Sequence, residues 1–183
     1  MIYEAREDSE LLRSCMANHA KGKILDMGTG SGVLAEEALN HSKDIIAVDI
    51  NQDVVDFCKK QYPGIQFRWS NLFSNITEKF DCIIFNPPYL PDDPQEDKES
   101  ALVTSGGKFG WETIERFLFS APNHLKYDGV ILLLFSTFTN KQKVEDLIQE
   151  NGFRYEVVGE KKIPWETLYV YALRKKASND EEF

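Results

Sequence analysis

The chain has 183 residues, of which 42% are apolar and 28% charged, and 21 basic against 30 acidic residues give a net charge of −9. That length suits one ordinary domain, able to bury roughly 70% of its unfolded surface without staples, and no apolar run approaches the roughly 20 residues of a membrane span. The acidic start, MIYEAREDSELL, is not a secretory-signal pattern, and no cluster of Lys and Arg offers the counterion release that drives non-specific nucleic-acid binding. Cys15, Cys58 and Cys82 are odd in number and far apart, and His19, His41 and His124 are scattered. Neither set has disulfide or metal-ligand spacing, so a reduced, cytoplasmic, metal-free protein is expected.

In chain order, residues 7–20 read as a helix with an acidic first turn and Leu11, Leu12 and Cys15 on one face. KILDMG (23–28) is a strand, SGVLAEEALNHS (31–42) a helix capped by Ser31, and DIIAVDI (44–50) a second strand. QDVVDFCKKQY (52–62) is a helix stopped by Pro63-Gly64, IQFRW (65–69) a strand with Ile65, Phe67 and Trp69 on one face, and FDCIIFN (80–86) a fourth strand. A polar loop leads to a helix over about 111–125, a strand GVILLLFS (129–136) and a helix over 140–152. The final stretch gives two antiparallel strands and a frayed polar tail over 176–183. Strands alternating with helices imply a mostly parallel sheet covered on both faces, which continuous apolar runs such as CIIF and VILLLF fit. The closing hairpin adds an antiparallel edge.

The turn ILDMGTGSG (24–32) joins a strand to a helix. Gly28 and Gly30, with Thr29 between them, allow a tight turn and a close backbone approach to a ligand, and the following helix start adds free N–H groups. The spacing is G-x-G-x-G, not the dinucleotide pattern. Asp26 favours a ligand with an ammonium group and hinders one with a pyrophosphate. Asp49, followed by Ile50, ends the second strand, where a carboxylate accepts hydrogen bonds from ribose hydroxyls or is merely solvated. A ribose, a cationic chain and no phosphate together describe S-adenosylmethionine. Asn71 and Leu72 follow the third strand, where they either border the adenine or form a plain turn with a core leucine.

Asn86-Pro87-Pro88-Tyr89 leaves the fourth strand at the carboxyl edge of the sheet, where ligands bind. Pro87 holds Asn86 extended, and the two prolines stiffen the turn and remove two backbone donors. The Asn86 side-chain oxygen and the Pro87 carbonyl remain as acceptors beside the flat face of Tyr89. Such a cluster suits a planar NH2 group: both hydrogens are held, the nitrogen is drawn toward pyramidal geometry, and its lone pair is freed for in-line attack on a sulfonium methyl. Orientation and preorganised dipoles then lower the barrier.

On YEAREDS (3–9), ILDMGTGSG (24–32), VDI (48–50), NLF (71–73), NPPYLP (86–91) and SGGKFGWETIERFL (105–118), the sequence resembles the HemK-related group of class I S-adenosylmethionine-dependent methyltransferases, in its short archaeal and eukaryotic form. The resemblance implies a Rossmann-like fold with a mostly parallel seven-stranded sheet, one methyltransferase domain over 1–175 and methylation of a glutamine side chain in a peptide release factor, leaving S-adenosylhomocysteine. It implies that Ser9 and Asp26 lie near the methionine part of the cofactor and Gly28, Gly30 and Asp49 form the turn and ribose clamp. Asn71 and Leu72 would line the adenine, and Asn86 and Tyr89 would hold the acceptor amide. Asn71 stands where the family often has Asp, and Ala5 where it usually has Pro. A further implication is a small zinc-binding activator protein adding a strand to the edge 65–69, which otherwise reads as an ordinary edge guarded by Gln66 and Arg68.

An adenine in DNA or RNA also carries a planar NH2 group, so adenine-N6 methylation stays open as an alternative, as do lysine methylation and an inactive scaffold subunit. The loop PDDPQEDKES (91–100) holds five acidic residues and one lysine, which disfavours phosphates. It reads as a lid facing a basic protein loop, or as a solvated loop. SGGKFGWET (105–113) is expected to be a mobile loop closing over the site, or a flexible connection.

Overall fold

A computed structural model describes residues 7–92 and 104–177. The elements are α1 (Glu7–Met16), β1 (Lys23–Met27), α2 (Val33–Ala38), β2 (Asp44–Asp49), α3 (Gln52–Gln61), β3 (Gln66–Trp69) and β4 (Phe80–Phe85). There follow β5 (Leu90–Pro91), β6 (Ser105–Gly107), α4 (Glu112–His124), β7 (Leu125–Ser136), a 3-10 turn (Thr137–Thr139), α5 (Lys141–Glu150), β8 (Phe153–Ile163) and β9 (Glu166–Lys175). The seven-stranded sheet has the order β3-β2-β1-β4-β7-β9-β8. β3, β2, β1, β4 and β7 run parallel, while β9 pairs antiparallel with both β7 and β8. β3 is the rim, as expected, and β8 the opposite rim.

Strand alternation sorts the core into two layers. Leu25, Met27, Ile83 and Phe85 face α4 and α5, meeting Ile114, Phe117 and Leu147. Ile24, Ala47, Cys82 and Ile84 face α1, α2 and α3, meeting Leu12, Leu34 and Val55. Each large side chain buried this way stabilises the fold by about 1.5–3 kcal/mol. Side-chain caps fix the ends of two helices: Asn51 accepts from the Asp53 N–H at 2.9 Å and Asn140 from the Lys143 N–H at 3.2 Å.

Several boundaries move. The first helix stops at Met16. The second starts at Val33 with Gly32, not Ser31, at its N-cap and no side-chain cap. The cause is the turn itself: Gly28, Gly30 and Gly32 all have positive φ, at 69°, 54° and 84°, so the chain is still turning where the sequence suggested helix. Trp69 does not join Ile65 and Phe67 inside; it is 40% exposed and donates from Nε1 to the Ile50 carbonyl at 2.7 Å. The strand expected over 129–136 begins at Leu125, and its own residues between Leu125 and Val130 bulge where the register against Phe80 and Cys82 of β4 shifts. At the end of the chain, Lys176 is tied to the Gly152 carbonyl through its N–H at 3.0 Å, so the expected tail is anchored at its first residue, and 178–183 lie outside the described residues. Among the described residues no helix is long and apolar enough to cross a membrane, and no His, Cys, Asp and Glu cluster could hold a metal.

Candidate active site

The parallel strands β1, β2 and β4 end level with one another: Met27 pairs with Val48 and Phe85, and Asp49 with Trp69. Above those carboxyl ends lies a cavity of about 1070 Å³, large enough for a nucleoside-sized ligand and part of a second molecule.

One side of it is the glycine turn. Gly28, Thr29, Gly30, Asp49 and Ile50 line it. The Asp49 carboxylate is fixed by backbone donors, with Oδ2 accepting from the Gly30 N–H at 3.0 Å and Oδ1 from the Asn51 N–H at 2.9 Å. Each oxygen keeps a lone pair for a hydroxyl. Burial pushes its carboxyl above the ordinary value, against those backbone hydrogen bonds. Asn71 and Leu72 line the same side, on a turn that Ser70 holds by donating to the Leu72 carbonyl at 2.6 Å and accepting from the Asn75 N–H at 3.1 Å. Leu72 sits at φ 49° and packs on the core.

Asp26 is placed differently from the expectation. It is fully buried beneath the turn and is not part of the cavity wall. Its Oδ2 accepts from the Thr29 hydroxyl at 2.6 Å, and its Oδ1 has no side-chain hydrogen-bond partner among the described residues. Burial pushes its carboxyl up to about 7, with the Asp49 charge adding to the rise. Its direct role is to hold Thr29, and through it the turn.

The other side is the turn after β4. Asn86, Pro87, Pro88 and Tyr89 all line the cavity. The Asn86 Nδ2 donates to Asp8 Oδ2 at 3.2 Å, whereas its Oδ1 is buried with no hydrogen-bond partner among the described residues. A buried amide oxygen left without a donor costs about 1–3 kcal/mol, so this acceptor is held ready at the fold's expense. The Tyr89 carbonyl accepts from the Thr139 hydroxyl at 3.3 Å. Ser9 lines the cavity from the start of α1, its N–H bonded to Asp8 Oδ1 at 2.7 Å.

The segment 105–113 is built into the wall instead of standing as an open loop. Ser105–Gly107 pairs in parallel with Leu90–Pro91, the Asp92 N–H donates to the Gly107 carbonyl at 3.0 Å, and the Ser105 hydroxyl donates to the Asp92 carboxylate. Its glycines serve close packing: a Cβ on Gly106 would stand 2.2 Å from the Gly110 carbonyl oxygen, and one on Gly110 2.6 Å from that of Tyr89. The acidic stretch 93–100 and the opening residues YEAR (3–6) lie outside the described residues. Sequence reasoning missed Asp8, Thr113 and Arg116 of α4, and Ile163, Pro164, Glu166 and Leu168 of the closing hairpin, all of which line the cavity.

A sheet of this order, with a nucleoside-sized cavity between a glycine turn and an Asn-Pro-Pro-Tyr turn, defines a class I methyltransferase fold. The model of the family described as Methyltransferase small domain matches residues 5–163, and the chain belongs to that family, on its HemK-related side. The Methanocaldococcus jannaschii protein named "Putative protein N5-glutamine methyltransferase MJ0928" is 37% identical over 92% of this chain and 89% of its own length. The ribosomal RNA small subunit methyltransferase C of Cronobacter sakazakii is 31% identical over 75% of this chain but 38% of its own length. Among solved structures, a chain of the E. cuniculi Mtq2-Trm112 complex, which is responsible for the methylation of the eRF1 translation termination factor, superposes with a TM-score of 0.79. It is 25% identical and covers 96% of this chain and 99% of that one. The chain is thus a methyltransferase.

Proposed function

We propose that this methyltransferase uses S-adenosylmethionine to methylate the side-chain amide nitrogen of a glutamine in a protein, specifically a peptide release factor. The observation that carries the reading is the Asn86 Oδ1, buried on the cavity wall without a hydrogen-bond partner. It is an acceptor for which the described residues supply no donor. When bound, S-adenosylmethionine supplies an electrophilic methyl group on sulfur and leaves as S-adenosylhomocysteine. The chain's residues fit that ligand: Asp49 has free lone pairs for two hydroxyls, Ile50, Asn71 and Leu72 border a flat ring, and Ser9 and Gly28 border the remaining chain.

The protein's work on the acceptor is positional. Asn86 Oδ1 and the Pro87 carbonyl take the two hydrogens of the amide while Tyr89 backs its plane. Holding both hydrogens weakens delocalisation into the carbonyl and orients the nitrogen lone pair along the line of attack. The proton leaves once the nitrogen carries the methyl group and is acidic.

Glutamine is favoured over adenine by charge and by the relatives. The chain carries −9, where a flipped base would need phosphate anchors, and the archaeal relative matched over nine tenths of its length bears a glutamine methyltransferase name. The four-residue rim strand β3 leaves an edge on which a small zinc-binding activator adds a strand, and the solved relative in a two-protein complex supports such a partner. Incubation with labelled S-adenosylmethionine and release factor, with and without the activator, followed by peptide mass mapping, is expected to place one methyl group on a glutamine. Label on DNA or RNA adenine, with none on the protein, overturns the reading.

A further inference from the structure

Asp8, the second residue of α1, is 5% exposed and lines the cavity. A buried carboxylate needs hydrogen bonds, and one of them comes from a residue distant in the chain: Oδ2 accepts from Asn86 Nδ2 at 3.2 Å, while Oδ1 accepts from the Ser9 N–H at 2.7 Å. The opposite end of the same Asn86 amide, Oδ1, is buried and unpartnered. A primary amide has an acceptor end and a donor end of nearly equal size. Turning it over costs little in shape and reverses its chemistry: an NH2 group would then face the NH2 group of the acceptor, donor against donor. Asp8 removes that degeneracy. In the turned-over state Asn86 Oδ1 would stand against a carboxylate oxygen, acceptor against anion.

We propose that Asp8 is a positioning residue that locks the Asn86 amide with its oxygen toward the acceptor nitrogen, so that docking of α1 on the sheet sets the polarity of the site. The proposal rests on Asn86 as the grip on the acceptor and names what holds that grip in register.

Asp8→Asn is the sharpest variant. It keeps the shape, and its remaining oxygen still accepts from the Ser9 N–H, but its NH2 now faces Asn86 and favours the turned-over amide. Turnover is expected to fall about 10–100-fold, the cost of a misaligned contact, with S-adenosylmethionine affinity by calorimetry within about twofold. The swapped pair, Asp8→Asn with Asn86→Asp, restores one donor and one acceptor: Asn at 8 donates to the carboxylate at 86, whose second oxygen is left for the substrate. It is expected to turn over faster than either single variant, which a purely structural role of Asp8 does not give. Should Asp8→Asn fail to fold, the comparison of the swapped pair with Asn86→Asp alone still decides. Unchanged turnover in Asp8→Asn, or a swapped pair no faster than Asn86→Asp, overturns the proposal. The side-chain NH2 resonances of Asn86 give a reading free of any substrate: a change in Asp8→Asn supports the lock even where the glutamine reading fails, and unchanged resonances remove it.

Discussion

Two turns occupy equivalent places at the carboxyl ends of neighbouring strands, one after Met27 on β1 and one after Phe85 on β4, which pair directly. Their chemistry is opposite. The first is glycine-rich, with three left-handed residues, and its amides are consumed at home: Thr29 N–H on the Val48 carbonyl, Gly30 N–H on Asp49, Gly32 N–H on the Thr29 carbonyl. The second has two prolines, no amide to give at either, and a buried acceptor with no partner. Glycine at one strand end yields a wall whose amides are already bonded within the fold; proline at the next yields a wall with an acceptor left unpaired among the described residues. Asn86→Ala is the strongest way to break this division. It removes the unpaired acceptor and leaves the glycine turn untouched, so turnover is expected to fall about 100–1000-fold, comparable with losing one preorganised polar contact in other active sites. S-adenosylmethionine affinity stays within about twofold. A tenfold loss of that affinity in calorimetry would mean that the two walls are not separate devices.

The parts of the site legible in the sequence are those that sit at strand ends, where a residue's type and position already imply its surroundings. Gly28, Gly30, Asp49 and Asn86 to Tyr89 line the cavity for that reason. Asp26 does not line it, because its neighbourhood depends on which face it shares: alternation puts it with Ile24, under the helices of the α1–α3 layer, and so below the cavity. Thr113, Arg116 and Glu166 reach the wall from a helix face and from the closing hairpin, brought there by the sheet order and not by any local pattern. Asp8 did carry a local signal, an acid in the first turn of a helix, but such acids are ordinarily explained by the helix dipole. The glycines of 105–113 do not read unambiguously as a lid, because glycine reports close approach as well as freedom of motion, and here Gly106 and Gly110 pack against the Gly110 and Tyr89 carbonyls.

The second way to sharpen the comparison uses the acid under the glycine turn. Burial raises Asp26 to about 7 in the folded chain, against about 3.9 in an unfolded one. Between about pH 4 and pH 7 the folded state therefore holds a proton that the unfolded state has released. Stability is lost as pH rises through that window, by about 1.4 kcal/mol per pH unit from this group, and the change ends once the folded carboxyl also ionises. Asp26→Asn keeps an acceptor for the Thr29 hydroxyl and removes the titration. Urea unfolding at pH 4.5, 5.5 and 6.5 is expected to show the variant gaining on the parent steadily with pH. A constant gap between the two would place Asp26 in a hydrated environment and undo the account of a dry, self-contained turn.

A third turn borders the cavity and combines the two chemistries. Ile163 pairs with Glu166 across the closing hairpin, leaving Pro164 and Trp165 as a two-residue connection with proline first and a left-handed residue second. Glycine suits that second position, yet Trp165 occupies it at φ 77° with 93% of its surface exposed. Its side chain thus returns almost no burial energy for a conformation that costs roughly 1–2 kcal/mol. Trp165→Gly relieves the strain but widens the unfolded ensemble, so a net gain of about 0.5–1 kcal/mol is expected, or about 1–4 °C in the midpoint of thermal unfolding for a chain of this size. A fall in the midpoint would show that the indole packs on its hairpin in solution. The turn would then belong with the proline wall, stiffened by its side chains, and not with the glycine turn, shaped by its backbone.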